Sequence, residues 1–301
     1  MTQPTLNTQG LMAALCAAAT WGMVGVFVRW LPGWSAFAVL AGRFLVATVA
    51  MLPILFLAPS VRHDLIRSLR TSTIWWLSLP AIGGYVLGTT AFQLAPVGEV
   101  TLLFTTSPLF IIAYKYVVRL HVKRNEGFGM LLAMAGASAI VLPQLSSDRA
   151  VSWATLAGYL LALGAAGSIA IYTLWFNAFA QQNIAPKSIN VVFLTCLLGS
   201  ILSFLCAVLF PASIGIEIDR QVILVLLGLG IFSTALPFLC YTVAAQRLPV
   251  VLATAILLLE PMFAVLFASV VLQEIPSLWF GIGSALVFWG LLSIAGFAFK
   301  W

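Results

Sequence analysis

The residues of this sequence best suited to binding or proton transfer are charged side chains that lie within apolar stretches. Arg43 follows FAVLAG and Glu260 follows AILLL, so each stands within a long apolar run. A charged group facing lipid costs at least about 2.5 kcal/mol, so both must face protein or an aqueous cavity. Either can contact a bound solute, and the carboxyl can also carry a proton. Glu260 is equally the best acid to neutralise Arg43, so a pair that only fixes helix packing is the alternative.

Proline interrupts two of the apolar runs. Pro108 follows Ser107, and Pro261 follows Glu260. Proline removes one backbone donor and crowds the preceding turn, which frees a carbonyl there. Within a membrane a freed carbonyl is tolerated against a cavity, so we expect both prolines to act as hinges or to line a pocket, with packing alone as the alternative. Ser107 and Glu99, near the outer end of the same run, are further candidate polar residues of the pocket.

Five aromatic residues lie deep in the apolar runs instead of near their ends. Tryptophan and tyrosine offer a flat apolar face with one polar group, which suits a pocket for partly apolar solutes. A deep tyrosine that is simply bonded to a neighbouring carbonyl is the alternative. The five are Trp21, Tyr85, Tyr172, Trp175 and Tyr241.

The elements that must position these residues are membrane helices. The 301 residues are 62% hydrophobic and 7% charged, with a mean hydropathy of +1.12. A soluble domain carries about 25% charged residues, and about 20 apolar residues cross a bilayer as a helix. We therefore predict an all-α polytopic membrane protein; a barrel would show short alternating strands. Ten transmembrane helices are predicted, at about 10–30, 35–57, 73–94, 97–118, 127–145, 153–179, 188–210, 221–244, 250–272 and 277–299.

Basic residues indicate the orientation. With the N-terminus inside, the outer side keeps only Arg29, Arg149 and Arg220. By the positive-inside rule both termini are predicted to be cytoplasmic, and the net charge of +6 belongs to the cytoplasmic membrane face and not to nucleic acid binding. The inner loops and helix ends carry Arg62, Arg67, Arg70, Lys115, Arg119, Lys123, Arg124, Lys187, Arg247 and Lys300.

The chain also repeats itself. The segment 91–97 aligns with 244–250, sharing Ala, Gln, Pro and Val, and at the same offset Pro108 falls on Pro261. The first helix matches the sixth more loosely, with Gly10 against Gly158. Recurrence of Gly and Ala by chance is the alternative.

Two repeats are predicted from this alignment, at 1–148 and 149–301. Since five helices are an odd number, the second repeat must be inserted upside down. Inverted repeats around a central cavity are the architecture of secondary transporters, which bind their solute near the membrane midplane.

Other chemistries are not indicated. No Gly-rich phosphate loop precedes a Lys-Ser/Thr pair, and His63 and His121 lie in loops. The cysteines, Cys16, Cys196, Cys206 and Cys240, lie in apolar runs without CxxC spacing and are interpreted as packing residues. We predict no cofactor, no metal site and no catalytic residue, so the protein is not expected to be an enzyme.

Several short motifs, in this order along nearly the whole chain, resemble the EamA-type members of the drug/metabolite transporter superfamily. Gln273 stands before Glu274, where that family usually has Gly. The motifs are Trp21-Gly22, Arg43, Glu99 with Ser107-Pro108, Leu259 to Phe263 with Glu274, and Gly281-Ile282-Gly283 through Gly290.

The resemblance implies a transporter of small metabolites in a bacterial inner membrane, working by alternating access. Phosphorylated solutes need several cationic partners, and Arg43 is the one deep cation. We therefore expect export of amino acids, as in YddG-type aromatic amino acid exporters. A drug or phosphorylated-sugar carrier, a channel, and either a monomer or a homodimer remain alternatives.

Overall fold

The fold is helical throughout the part of the chain that is described. The computed structural model describes residues 7–31, 33–95, 100, 103–120, 122–141, 152–210, 219–271, 273 and 278–294, and no strand occurs among them. Glu99, Glu274 and the predicted boundary between the repeats lie outside the described residues. The helices are α1 Thr8–Gly22, α2 Val24–Arg29, α3 Ala36–Leu57, α4 Pro59–Leu69, α5 Ser72–Leu94, α6 Ser107–Val117, α7 Arg124–Val141, α8 Trp153–Gln181, α9 Ser188–Leu209, α10 Arg220–Gly230, α11 Leu236–Arg247, α12 Val250–Ala255, α13 Glu260–Val271 and α14 Leu278–Ile294.

Five of the described helical segments are long and apolar enough to cross a membrane: Ala36–Leu57, Trp153–Gln181, Ser188–Leu209, Arg220–Arg247 and Val250–Val271. Leu278–Ile294 is a shorter apolar helix. Their outward-facing side chains are large and apolar, as lipid contact requires.

Local sequence sets where several helices begin. Asn7 accepts a hydrogen bond from the Gly10 amide at 3.0 Å, and Ser35 accepts one from the Ala38 amide at 3.1 Å. Asp219 does the same for Val222 at 2.7 Å. Such caps satisfy amides that the first helical turn leaves without partners.

The loop predicted at 58–72 contains a helix, α4, which the hydropathy pattern did not predict. Pro59 stands at its first turn, where a missing amide costs nothing. Val61 and Leu65 pack against the core, while Arg62 and Arg67 are more exposed. The helix is amphipathic and short, so a window sized for membrane spans overlooks it.

Packing between sequence-distant helices builds the bundle. α1 packs on α11, α5 on α8, α3 on α9, and α7 on α14. The last pair approaches through glycine, since a Cβ at Gly129 would lie 2.5 Å from the Gly290 carbonyl oxygen. The glycine-rich faces of α7 and α14 therefore pack against each other within one chain.

The two ends of the bundle can be told apart by contacts. Gly10, near the start of α1, meets Arg247 at the end of α11. Gln246 donates to the Pro186 carbonyl before α9 at 3.3 Å, and Lys187 pairs with Asp64 of α4. We call this end, where α1 begins, the N-side.

At three places the regular α-helical hydrogen bonding of an apolar run is interrupted. α6 starts at Ser107-Pro108 after a turn, and α13 starts at Glu260-Pro261 after the 3-10 turn Ile256–Leu259. Between α10 and α11 the residues Ile231–Ala235 form a π turn. The regular helix is therefore broken next to both predicted proline sites.

Candidate functional site

Arg43 is bound by the π turn. Its Nε donates to Thr234 Oγ1 at 2.7 Å and its Nη2 donates to the Ser233 carbonyl oxygen at 2.7 Å. Its guanidinium carbon lies 5.6 Å from the ring centroid of Tyr85, and only 9% of the residue is exposed. The charge is thus stabilised by oxygen dipoles and an aromatic face, in a region where π turns often serve function.

The π turn is itself anchored on both sides. Thr234 Oγ1 donates to the Leu229 carbonyl at 2.9 Å while it accepts from Arg43. Ser233 Oγ donates to the Thr20 carbonyl on α1 at 3.1 Å. One turn of α10–α11 therefore links α1 and α3.

Glu260 is not the direct partner of Arg43. No ion pair within 4.0 Å joins them, although both are described, and Glu260 acts on Arg43 only at longer range. Glu260 is the first residue of α13 and is partly exposed. Neutral oxygens, and not this carboxylate, make the direct bonds to the guanidinium.

Four of the five deep aromatic residues meet beside Arg43. The ring centroids of Trp21 and Tyr241 are 5.5 Å apart, and those of Tyr172 and Tyr241 are 6.3 Å apart. Phe238 joins the group, at 5.9 Å from Tyr85 and 5.7 Å from Tyr172. We call these five residues the aromatic cluster.

Hydrogen bonds hold two of these rings in place. Tyr172 OH and Thr242 Oγ1 are 2.7 Å apart, and Tyr241 OH and Thr173 Oγ1 are 2.5 Å apart. These reciprocal bonds tie α8 to α11. Tyr85 OH, in contrast, is buried and makes no hydrogen bond of normal geometry, although it lies close to the Trp21 indole.

Glycine permits the close approach of α1 to the break at Glu260. A Cβ at Gly22 would lie 2.9 Å from the Ala264 amide nitrogen and 3.1 Å from the Glu260 carbonyl oxygen. The Trp-Gly pair of α1 therefore places Trp21 in the cluster and lets its neighbour touch α13.

The family model for EamA-like transporters matches residues 8–142 and 156–296, which is most of the chain. The chain belongs to the EamA-like transporter family. It is accordingly a membrane transporter of the drug/metabolite transporter superfamily, and the family consists of transporters and not of enzymes.

Comparison with solved structures supports the same fold for this EamA-like protein. One, described only as the crystal structure of a protein, matches with a TM-score of 0.79 at 19% identity, covering 98% of this chain and 99% of that chain. At this identity the likeness concerns the fold alone. No curated protein matches the sequence.

The remaining predicted site residues of this EamA-like chain lie apart from the aromatic cluster or at its edge. Trp175 pairs with Trp76, with ring centroids 5.5 Å apart, and packs against the same core. Ser107, 2% exposed, and Pro108 are buried at the start of α6, and Pro261 is buried in α13. Glu99 lies outside the described residues.

Two open cavities among the described residues do not coincide with the predicted pocket. One of about 700 Å³ lies at the N-side end of α6, beside Tyr116 and Arg119, and one of about 290 Å³ lies between α2 and α10, beside Trp30 and Gln221. Neither is lined by a predicted site residue. Around Arg43 the aromatic rings occupy the centre of the bundle, so the predicted central cavity is not one of these two.

The sequence analysis did not predict Phe238 of the aromatic cluster, nor Ser233 and Thr234, which bind Arg43. The signal for Ser233 and Thr234 was a Ser-Thr pair inside the apolar run GLGIFSTALP, three residues before Pro237. A Ser or Thr in a membrane helix usually bonds its own preceding turn, so the pair alone did not indicate a partner for Arg43.

Tyr241→Phe should lower the thermal unfolding midpoint by a few degrees while leaving the ring contacts intact. The substitution removes the bond to Thr173, worth about 0.5–1.5 kcal/mol, and Thr173 keeps its bond to the Ile169 carbonyl. Unfolding of purified protein in detergent, followed by intrinsic fluorescence, measures this.

Tyr85→Phe is the matched control for that substitution. Because Tyr85 OH makes no hydrogen bond of normal geometry, removing it should lower the midpoint less than Tyr241→Phe does. An equal loss for both variants would contradict the assigned bonds.

Proposed function

We propose that this EamA-like protein is a secondary transporter that exports neutral amino acids, including aromatic ones, by alternating access. The observation that carries the proposal is the buried guanidinium of Arg43 beside a cluster of aromatic rings at the middle of the bundle. A carboxylate on a partly apolar solute is the chemistry that this combination recognises.

Arg43 retains hydrogen-bonding capacity. Its Nε and one Nη2 hydrogen are used by Thr234 and Ser233, and no described residue accepts a hydrogen bond from Nη1. A guanidinium has five N–H donors in a planar fork, so one edge can still bind a carboxylate. A single cation of this kind does not suit a solute with two or more phosphate charges.

Two inverted five-helix repeats, at 1–148 and 149–301, form the scaffold in this proposal. Exchanging the halves maps α1 onto α8, α3 onto α9, α5 onto α10–α11 and α7 onto α14. Under this exchange the packing of α1 on α11 corresponds to that of α5 on α8, while the pairs α3–α9 and α7–α14 map onto themselves. That correspondence is expected for a two-fold axis in the membrane plane.

Individual contacts follow the same exchange. A Cβ at Gly10 would lie 3.0 Å from Leu248 Cγ, and one at Gly158 would lie 2.7 Å from Ala95 Cβ. Leu248 aligns with Ala95 at the offset that joins Pro108 to Pro261. At that offset Phe238 aligns with Tyr85, and contact between their rings supports an axis passing beside Arg43.

Alternating access then involves the breaks at Pro108 and Pro261 as paired hinges. The distribution of Lys and Arg supports a cytoplasmic N-side in a bacterial inner membrane. The partners in this proposal are the lipid bilayer and the amino acid, and either a monomer or a homodimer fits it.

Proteoliposomes test the proposal directly. Protein reconstituted with unlabelled amino acid inside should take up labelled Phe, Thr or Met in saturable exchange, while protein-free vesicles should not. Exchange that is absent for all three but present for a phosphorylated sugar would overturn the substrate class. Unitary current steps in a planar bilayer would instead indicate a channel.

A further inference from the structure

Glu260 is a carboxyl in the membrane that no described side chain neutralises by direct contact. It lies midway along the apolar segment Val250–Val271, which is long enough to cross a membrane. Among the described residues no basic group comes within 4.0 Å of its carboxyl, and its side chain forms no hydrogen bond. It is nevertheless partly exposed, although a carboxylate that faces lipid is strongly unfavourable. The exposed part of Glu260 must therefore face space inside the protein.

Contacts of the last turn of α1 place Glu260 near Arg43. Ser233, whose carbonyl accepts from Arg43 at 2.7 Å, donates through its hydroxyl to the Thr20 carbonyl at 3.1 Å. Two residues further along α1, a Cβ at Gly22 would lie 3.1 Å from the Glu260 carbonyl oxygen. The two charged side chains also act on each other electrostatically. They are therefore neighbours across the end of α1 that do not form a direct ion pair.

Each of these two groups has bonding capacity that the described residues do not use. The Nη1 hydrogens of Arg43 have no described acceptor, and the Glu260 carboxyl has no described donor. Trp21, in the same turn of α1, and Tyr85, whose ring lies under the guanidinium, are both partly exposed. A solute with an anionic, a cationic and an apolar group would satisfy all of these partners together. A zwitterionic amino acid with an apolar side chain has this composition.

Few charged groups surround Glu260. Arg43 is the one described charged group that acts on it, and Tyr85 is the other described titratable group with which it interacts. α13 packs against α1, α2, α7 and α14, and neither α1 nor α14 contains a charged residue. The charged residues of the other two helices stand within one turn of a helix end: Arg29, Arg124 and Glu126. A carboxyl held out of water without a cation in direct contact is stabilised by binding a proton.

We propose that Arg43 and Glu260 hold the two charges of a zwitterionic amino acid, the guanidinium binding its carboxylate and Glu260 its ammonium, and that a proton occupies Glu260 when the solute is absent. The inference rests on the proposed amino acid export and adds its coupling. The ammonium and the proton compete for one carboxylate, so the proton passes to water as the solute binds. Transport is then proton antiport, in which Glu260 carries a proton inward after each amino acid has left.

Proton release on binding tests this competition. Purified protein in detergent should release up to about one proton per bound phenylalanine, counted by calorimetry in buffers of different ionisation heat. By linkage, the affinity for phenylalanine should fall by up to about tenfold per pH unit on acidification from about pH 7 to 5.5, where phenylalanine keeps both charges. Glu260→Gln should release no proton and should bind with an affinity that does not change with pH.

Glu126→Gln is the matched control, because Glu126 lies in the first turn of α7, where it pairs with Lys115 at 2.9 Å. It should keep the proton release of the wild type. Glu260→Asp retains a carboxylate and should also release a proton, so it serves as a second variant if Glu260→Gln does not fold. Binding of phenylalanine to the wild type without proton release, and with an affinity independent of pH, would overturn the inference.

A solute without an ammonium tests recognition separately from coupling. The wild type should bind 3-phenylpropionate about 10- to 150-fold more weakly than phenylalanine, the range expected for one lost charged hydrogen bond. In Glu260→Gln this preference should fall by about tenfold; an unchanged preference would contradict the assigned role. Saturable phenylalanine exchange without these effects would leave amino acid transport standing and overturn the coupling. Absence of both binding and exchange would contradict the proposed function, and the inference with it.

Discussion

Arg43→Lys is expected to reduce amino acid exchange by about 10- to 150-fold, because each lost charged hydrogen bond is worth about 1.5–3 kcal/mol. A lysine ammonium cannot bond Thr234 Oγ1 and the Ser233 carbonyl in the same plane while it covers the Tyr85 ring. It also lacks the free planar edge on which the proposed carboxylate binds. Initial rates of labelled phenylalanine uptake into proteoliposomes measure the effect.

The matched control for this substitution is Arg67→Lys on α4, where the side chain is exposed and carries no described bond. It should leave uptake unchanged. Two substitutions at Thr234 separate the positioning of the Arg43 side chain from its charge. Thr234→Ser keeps the oxygen that accepts a hydrogen bond from Arg43, whereas Thr234→Val removes it. Wild-type rates for Arg43→Lys would contradict a role of the guanidinium in transport.

Gly230→Ala is expected to cause a large loss of stability. The added Cβ would lie 2.4 Å from Val46 Cγ1 and 2.9 Å from the Arg43 carbonyl oxygen. The second contact is with backbone, so relief requires α3 and α10 to separate next to the π turn. Overpacking of this kind costs about 1–3 kcal/mol, and we expect the upper end of that range here.

The unfolding midpoint and the monodisperse fraction on size exclusion in detergent report this loss. Gly281→Ala is the control, because a Cβ there meets nothing within 4 Å. The control should match the wild type, while Gly230→Ala should fall by several degrees and lose exchange activity together with Arg43 positioning. Equal behaviour of the two variants would show that α3 and α10 do not approach as closely as described.

The second half contributes more of the aromatic cluster than the first. The hydroxyl of Tyr172 is hydrogen-bonded to that of Thr242, and the hydroxyl of Tyr241 to that of Thr173, which joins α8 to α11. At the offset of the repeat, Tyr241 aligns with Gly88. The proposed symmetry thus applies to the scaffold, while the aromatic side chains of the cluster differ between the halves. Such a difference is what the proposed asymmetric solute, an amino acid, would require.

Local properties of the sequence determined the helices and much of the candidate site. The length of each apolar run and the polar residues before it depend on neighbouring residues alone, so α3, α8 and α9 begin and end within two residues of the predicted limits. The cost of a charge in lipid likewise pointed to Arg43, and the deep aromatic residues Trp21 and Tyr85 lie beside it.

Only the tertiary structure decided which groups bind Arg43. The guanidinium meets Thr234 and Ser233, which lie about 190 residues away along the chain. The π turn that offers this carbonyl is held by contacts from α1 and α3, and no helix propensity within α10 predicts it. Long-range packing also sets Glu260 apart from Arg43 and fills the centre of the bundle with rings, because side-chain partners across helices depend on how the helices approach and not on the residues adjacent in sequence.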